Sequence, residues 1–233
     1  MRIDVVTLFP DMFPGFLDHG LPRIARYKGL IEVHLTNFRD FASDRRGTVD
    51  DRPFGGGAGM LLMCEPVVLA VESLEHGLPA EERPLRVLFS PQGQRLDQPL
   101  VEQLAREPRL TLICGHYEGF DERIRTTLDP LEISVGDYVL SGGELPAMTL
   151  IDAVARLQDG AVGDPDSVRD DSFSNSEKNL EYAQFTRPRV FREQAVPEVL
   201  LSGNHAAIKA WRDEQARAKT QTRRPDLLAP DQG

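Results

Sequence analysis

Only two cysteines, Cys64 and Cys114, occur in the 233 residues. Both sit in apolar stretches without the spacing of a metal-ligand pair, so neither a disulfide framework nor a zinc cluster is expected, and a reducing compartment is the simpler setting. Apolar runs are short, and none approaches the roughly 20 residues of a membrane-spanning helix. The opening "MRIDVVTLFPDMF" is broken at Pro10, too soon for the apolar core of a secretory signal. These lacks point to a cytoplasmic protein with no membrane partner. Positive charge is scarce as well. Lys and Arg number 27 against 37 Asp and Glu, a net charge of −10, and as a global balance this speaks against a polyanionic partner.

The common fingerprints are missing too. "PFGGGAGM", residues 53 to 60, holds four glycines, but no register gives G-x-G-x-x-G because Met60 occupies the last required place, and no strand leads directly into it. There is no G-x-x-x-x-G-K-[ST] phosphate loop and no G-x-S-x-G elbow, and no cluster of His, Cys and acids has metal spacing. A nucleotide hydrolase of the phosphate-loop kind therefore lacks its main feature. "FGGGAG" reads either as a flexible surface loop or, beside the doubly charged "DRRGTVDDRP", as a loop that handles a polar ligand.

What is present is an alternation. "RIDVVTLF", "IEVHLTNF", "LRVLFS", "LTLICG" and "LEISVGDYVL" read as strands. Between them lie the helical patterns "FPGFLDHGLPRIARYKG", "EPVVLAVESLEHG", "QPLVEQLAREP" and "DERIRTTL", and "ELPAMTLIDAVARLQ" follows. Strand–helix alternation predicts an α/β domain, a parallel sheet with helices on both faces, over residues 1 to 160. The Gly-, Asp- and Ser-rich stretch 161 to 178 has almost no apolar period and predicts a flexible linker. Residues 179 to 233 predict a small helical domain, with Ser202 and Asn204 as helix starters. Charge is unevenly spread: residues 185 to 225 carry nine Arg and Lys (Arg187, Arg189, Arg192, Lys209, Arg212, Arg217, Lys219, Arg223, Arg224) against four acids. That balance of +5 leaves −15 for the rest of a chain whose total is −10. A basic tail on an acidic body attracts a polyanion locally, although a solvated helix face is the plainer reading.

Three segments fall at the ends of successive predicted strands: "FSPQG" (89–93), "CGHYEGFDE" (114–122) and "SVGDYVLSGG" (134–143). Open α/β sheets bind ligands outside the carboxyl ends of their strands. The third segment holds Gly136, Gly142, Gly143, Ser134 and Ser141, more small residues than a turn needs. Glycine lets backbone approach a ligand closely.

"DRPFGGGAGM", "SPQG", "CGHYEGFDERI", "VGDYVLSGGELPAMTLIDAVAR" and "DDSF", in this order, resemble the bacterial tRNA (guanine-37-N1)-methyltransferases of the trefoil-knot superfamily. The likeness runs from Met1 to about Leu228. It implies a deep trefoil knot at the C-terminal end of the α/β domain, S-adenosylmethionine as methyl donor, a homodimer whose site lies at the subunit interface, and a magnesium ion whose ligands are not readable here. It implies that Pro91, Gln92, Gly115, Tyr117, Glu118, Val135, Gly136, Tyr138, Leu140, Gly142 and Gly143 line the cofactor site. Methylation at N1 of guanine requires removal of the N1 proton, with charge moving onto O6, so a carboxylate base and a cation are the minimum equipment. The resemblance assigns these to Asp171 and Arg156; chemistry alone leaves the adjacent Asp170 open. Asp50, Asp51 and Arg52 are implied at the guanine pair, positions 36 and 37, and Arg187, Arg189 and the 209–224 cluster at the phosphates of the anticodon stem. The chain departs from the pattern at His116, where arginine is commoner, and at Ala183 and Phe185. The reading of another class is an RNA-binding protein that kept the knot and lost catalysis.

Overall fold

The computed structural model describes residues 1–163, 171–174 and 179–228. The chain divides into two compact units, Met1–Gly163 and Asp164–Gly233.

The first unit is built on five parallel strands: β1 (Arg2–Thr7), β2 (Glu32–Asn37), β5 (Leu85–Arg95), β6 (Arg109–Ile113) and β7 (Leu131–Ser134). Their order is β2-β1-β6-β5-β7. A short antiparallel pair, β3 (Asp50–Asp51) and β4 (Leu61–Leu62), brackets the glycine-rich turn 53–60. Six helices accompany the sheet: α1 (Pro14–Leu17), α2 (Gly20–Tyr27), α3 (Cys64–Glu75), α4 (Gln98–Leu104), α5 (Glu122–Leu128) and α6 (Glu144–Arg156).

Alternation along the strands explains why helices cover both faces. Ile3, Val5, Leu110 and Leu112 join the apolar cluster formed with α1, α2, α4 and α6. Val6, Leu88 and Ile113 face the other way, into a cluster with α3 and α5. Strands buried on both sides read as continuous apolar runs, as these do. The caps follow the sequence: Asp97 accepts from the Leu100 N–H at 3.0 Å and starts α4, and Asp121 accepts from the Arg123 N–H at 2.9 Å and starts α5.

Three readings of the sequence are corrected. The single helix expected over residues 13–29 is two, because His19 takes an extended conformation between α1 and α2. The strand expected over 131–140 ends at Ser134, since the chain turns at Gly136 and the Ser134 hydroxyl accepts the Gly136 N–H at 3.2 Å. The strand expected to end at Ser90 resumes beyond it: Phe89 and Gln94 both pair with Ile133, so residues 90–93 loop out of β5.

In the second unit, a small hairpin, β8 (Val190–Phe191) and β9 (Gln194–Ala195), precedes the short helix α7 (Glu198–Leu201) and the long helix α8 (His205–Arg223). Asn204 caps α8 by accepting the Ala207 N–H at 3.1 Å. Ser202 instead closes α7 and accepts the Asn204 N–H. The hairpin was not expected from sequence.

Candidate functional site

The carboxyl ends of β6, β5 and β7, three neighbouring strands, open onto a cleft of about 350 Å³, within the size range of small-molecule sites. Its wall is made by the 89–92 loop-out, the 115–120 turn and the 133–143 segment, with Arg125 and Pro146 at the side. All eleven residues that the resemblance assigns to the cofactor, from Pro91 to Gly143, line it.

The loops are held by specific bonds. Glu132 collects hydrogen bonds from the Ser90 hydroxyl (2.7 Å), Gln92 Nε2 (3.2 Å) and Arg125 Nε (3.0 Å). Burial pushes its carboxyl up, but these donors outweigh that effect and hold the group below its usual range. Gly93 lies flat on β7: a Cβ there would stand 2.5 Å from the Glu132 carbonyl carbon and the Ile133 nitrogen. Gly143 donates its N–H to the Gly115 carbonyl at 2.9 Å, and a Cβ on it would meet Cys114 Cα at 2.7 Å. The small residues thus serve backbone-to-backbone approach between the turns. Tyr117, within the turn, has φ +59°, a conformation that bulky residues hold only when the surroundings enforce it. Burial, and after it the Glu144 carboxylate, push the fully buried Cys114 thiol well above its usual range, which makes Cys114 a packing residue rather than a nucleophile. Both cysteines are free.

Sequence reasoning missed Ser90, His116, Arg125 and Glu132 around this cleft. Arg125 and Glu132 stand one helix and one strand away from the glycine-bearing motifs, and no spacing signal links them to the cleft.

Arg156 is placed elsewhere. Glu144, the first residue of α6, sits at the cleft end, whereas Arg156 is the last, about 18 Å away along a helix that rises 1.5 Å per residue. Beyond it, Gln158 Nε2 donates to the Ala105 carbonyl and lies 3.8 Å from Met1 Sδ, at the amino end of β1. Arg156 and the cleft are therefore at opposite ends of the sheet within one chain. Asp171 belongs to the second unit, where its carbonyl accepts the Ser174 N–H at 3.2 Å. Asp170 and most of the expected linker lie outside the described residues.

Asp50 and Asp51 form β3, and Asp51 and Arg52 line a second hollow with Phe54, Cys64 and Arg123. The glycine-rich turn is bonded to the 115–120 turn of the cleft: the Glu118 N–H donates to the Met60 carbonyl (3.0 Å) and the Leu62 N–H to the Gly119 carbonyl (2.9 Å). In the second unit, Arg187, Arg189 and Arg212 line a groove with Tyr182 and Phe185. The Arg212 guanidinium lies 4.5 Å from the Tyr182 ring centroid. Several expected phosphate contacts are already engaged: Lys219 donates to the Glu181 and Tyr182 carbonyls, Arg189 pairs with Glu198, and Arg224 with Asp226. Among the described residues, no group of three or more His, Cys, Asp or Glu side chains is placed to hold a metal ion, and no helix is long and apolar enough to cross a membrane.

Comparison with known proteins supplies a family. Residues 1–230 match the family described as tRNA (Guanine-1)-methyltransferase TrmD. A protein of Moorella thermoacetica named tRNA (guanine-N(1)-)-methyltransferase is 56% identical over 229 residues, covering 98% of this chain and 90% of the relative. Proteins of the same name from Rhodopirellula baltica and Brevibacillus brevis are each 54% identical, cover 98% of this chain, and are themselves covered to 94% and 91%.

Proposed function

Because the chain belongs to the tRNA (guanine-1)-methyltransferase family, we propose that it transfers a methyl group from S-adenosylmethionine to N1 of guanosine 37 in tRNA, next to the anticodon. The protein is a methyltransferase with the family's knotted α/β fold. The observation that carries the reading is the cleft, because eleven residues scattered over 53 positions of sequence come together at the ends of three adjacent strands. Its size and its lining fit the cofactor. Phe89, Val135, Leu140 and Pro146 offer apolar walls for an adenosine, and Gln92, Glu118 and Arg125 offer polar groups for its charged end. When bound, the cofactor supplies an electrophilic methyl group.

The chain's own residues prepare the acceptor. The Asp171 carboxylate takes the proton from guanine N1, which frees the nitrogen lone pair and sends negative charge toward O6. The Arg156 guanidinium stands against that charge. Asp50, Asp51 and Arg52 hold the guanine pair beside the turn that is bonded to the cofactor loop. The aromatic and basic groove of the second unit takes the anticodon stem, its arginines on phosphates and its rings available for stacking.

The active form is a homodimer. Arg156 stands at the far end of the sheet from its own cleft, so a second copy is the natural source of the cation. Exposed apolar side chains beside the cleft, Tyr138 at 58% and Val139 at 84%, favour cover by a partner. A magnesium ion is retained in this reading as an accessory of the reaction. The cytoplasm is the compartment where tRNA meets the enzyme.

Tritium transfer from labelled S-adenosylmethionine to transcribed tRNA, with guanosine or adenosine at position 37, tests the function. Label in the first tRNA alone, mapped to N1, is the expected result. A protein that binds both ligands and transfers nothing would instead be the non-catalytic RNA binder.

A further inference from the structure

Glu144 raises a question that the reaction does not answer. Its carboxylate is buried, with a residue exposure of 1%, and a buried carboxylate requires donors. Its hydrogen-bonding partners come from two other segments: the Thr7 hydroxyl, at the end of β1, donates to Oε1 at 2.7 Å, and His116 Nε2, in the turn after β6, stands 3.2 Å from Oε2. Thr7 is oriented for this task, because its oxygen accepts the Phe9 N–H at 3.0 Å and its proton is left for Glu144. Glu144 also begins α6, where the helix amide dipoles favour a negative charge.

His116 is held by several contacts. Its ring lies edge-on to Phe9 (centroids 4.8 Å apart) and to Tyr117 (5.9 Å). Residue 116 bridges Gly142, and a Cβ on Gly142 would stand 2.3 Å from His116 Nε2 and 2.4 Å from Glu144 Oε2. Three segments therefore meet on one carboxylate, and two of them, the 114–117 turn and the 142–143 turn, line the cleft. The left-handed Tyr117 is the next residue along.

We propose that His116 is a positioning residue for cofactor binding: through Glu144 it clamps the 114–117 turn to the Gly142–Gly143 turn and sets the shape of the cleft. The inference rests on the reading of that cleft as the S-adenosylmethionine site. Without the imidazole, Glu144 keeps a single neutral donor, the two turns lose their shared anchor, and Tyr117 loses a constraint on its conformation. An arginine at position 116 brings donors that can meet the carboxylate, so it restores the clamp.

Calorimetric titration of S-adenosylmethionine into the full chain tests this, with thermal melting to establish folding and steady-state methyl transfer alongside. His116→Ala lowers cofactor affinity by about tenfold or more, the consequence of leaving a buried charged group short of a partner, and raises the KM for S-adenosylmethionine in step. At saturating cofactor, kcat and the KM for tRNA stay within about threefold of wild type, because the chemistry is intact. His116→Arg restores the affinity, and Glu144→Gln, close in shape, reproduces the loss. Unchanged affinity in folded His116→Ala, or a folded His116→Arg that fails to rescue, overturns the proposal. If His116→Ala does not fold, Glu144→Gln decides alone. Wild-type protein that does not bind S-adenosylmethionine overturns the reading of the cleft instead.

Discussion

In the proposed reaction, Asp171 and Arg156 divide one task between them, removal of a proton and support of the charge that remains. Asp171→Asn separates this chemistry from binding, since the amide keeps the size and most of the hydrogen-bonding capacity but takes no proton at neutral pH. Single-turnover methyl transfer falls on the order of 10²-fold, while cofactor and tRNA affinities stay nearly unchanged. The same change at Asp170 costs much less. Rapid-quench kinetics on both variants checks this, and wild-type rates in Asp171→Asn would move the base to Asp170 or Glu118. The two residues also differ in how they were found. Nothing in the pattern of charges selects Asp171 from an acidic, serine-rich stretch; only the "DDSF" likeness does. Arg156 was legible as part of a helix, but its distance from the cleft was not, because periodicity gives a helix its faces and leaves its direction across the sheet open.

At the scale of elements, the loop-out in β5 shapes one wall of the cleft. Phe89 and Gln94 share one partner, Ile133, so Pro91 and Gln92 are turned out of the sheet, and Gly93 returns the chain across β7 with no room for a Cβ. Gly93→Ala forces the strands apart and costs about 2 kcal/mol of stability, a typical overpacking penalty, with weaker cofactor binding besides. Urea unfolding and calorimetry read the two effects, and an unperturbed variant would show the 90–93 segment to be loosely held. Gly142 behaves differently from a simple pocket-lining glycine. A side chain there strikes His116 and Glu144, so a lost affinity in Gly142→Val would report the packing of the turns as much as occupied ligand volume. Leu140→Trp, on an accessible wall of the cleft, obstructs the ligand more cleanly. Five strands and most helices were legible from their apolar period. The misreading of residues 131–140 has a local cause. Val135, Tyr138, Val139 and Leu140 are strand-forming residues by type, yet Gly136 and the Ser134 hydroxyl turn the chain before they can pair, and their apolar surface faces the cleft or solvent. Local propensity gave way there to the wall of the cleft.

For the whole molecule, the consequence of the sheet's polarity is a composite site in the proposed dimer. The cleft opens at the carboxyl ends of β5, β6 and β7, and Arg156 sits beside the amino end of β1, so each cleft in the proposed dimer draws its cation from the other chain. A heterodimer of two differently tagged subunits tests this directly, one carrying Leu140→Trp in the cleft and the other Arg156→Ala. In the shared arrangement, the intact cleft of the second subunit meets the intact Arg156 of the first, so one of the two sites works. The account predicts that each parental homodimer is nearly inactive while the purified heterodimer methylates tRNA at about half the wild-type rate, one site of two. A heterodimer as inactive as its parents would contradict it, and would place Arg156 in the service of its own chain.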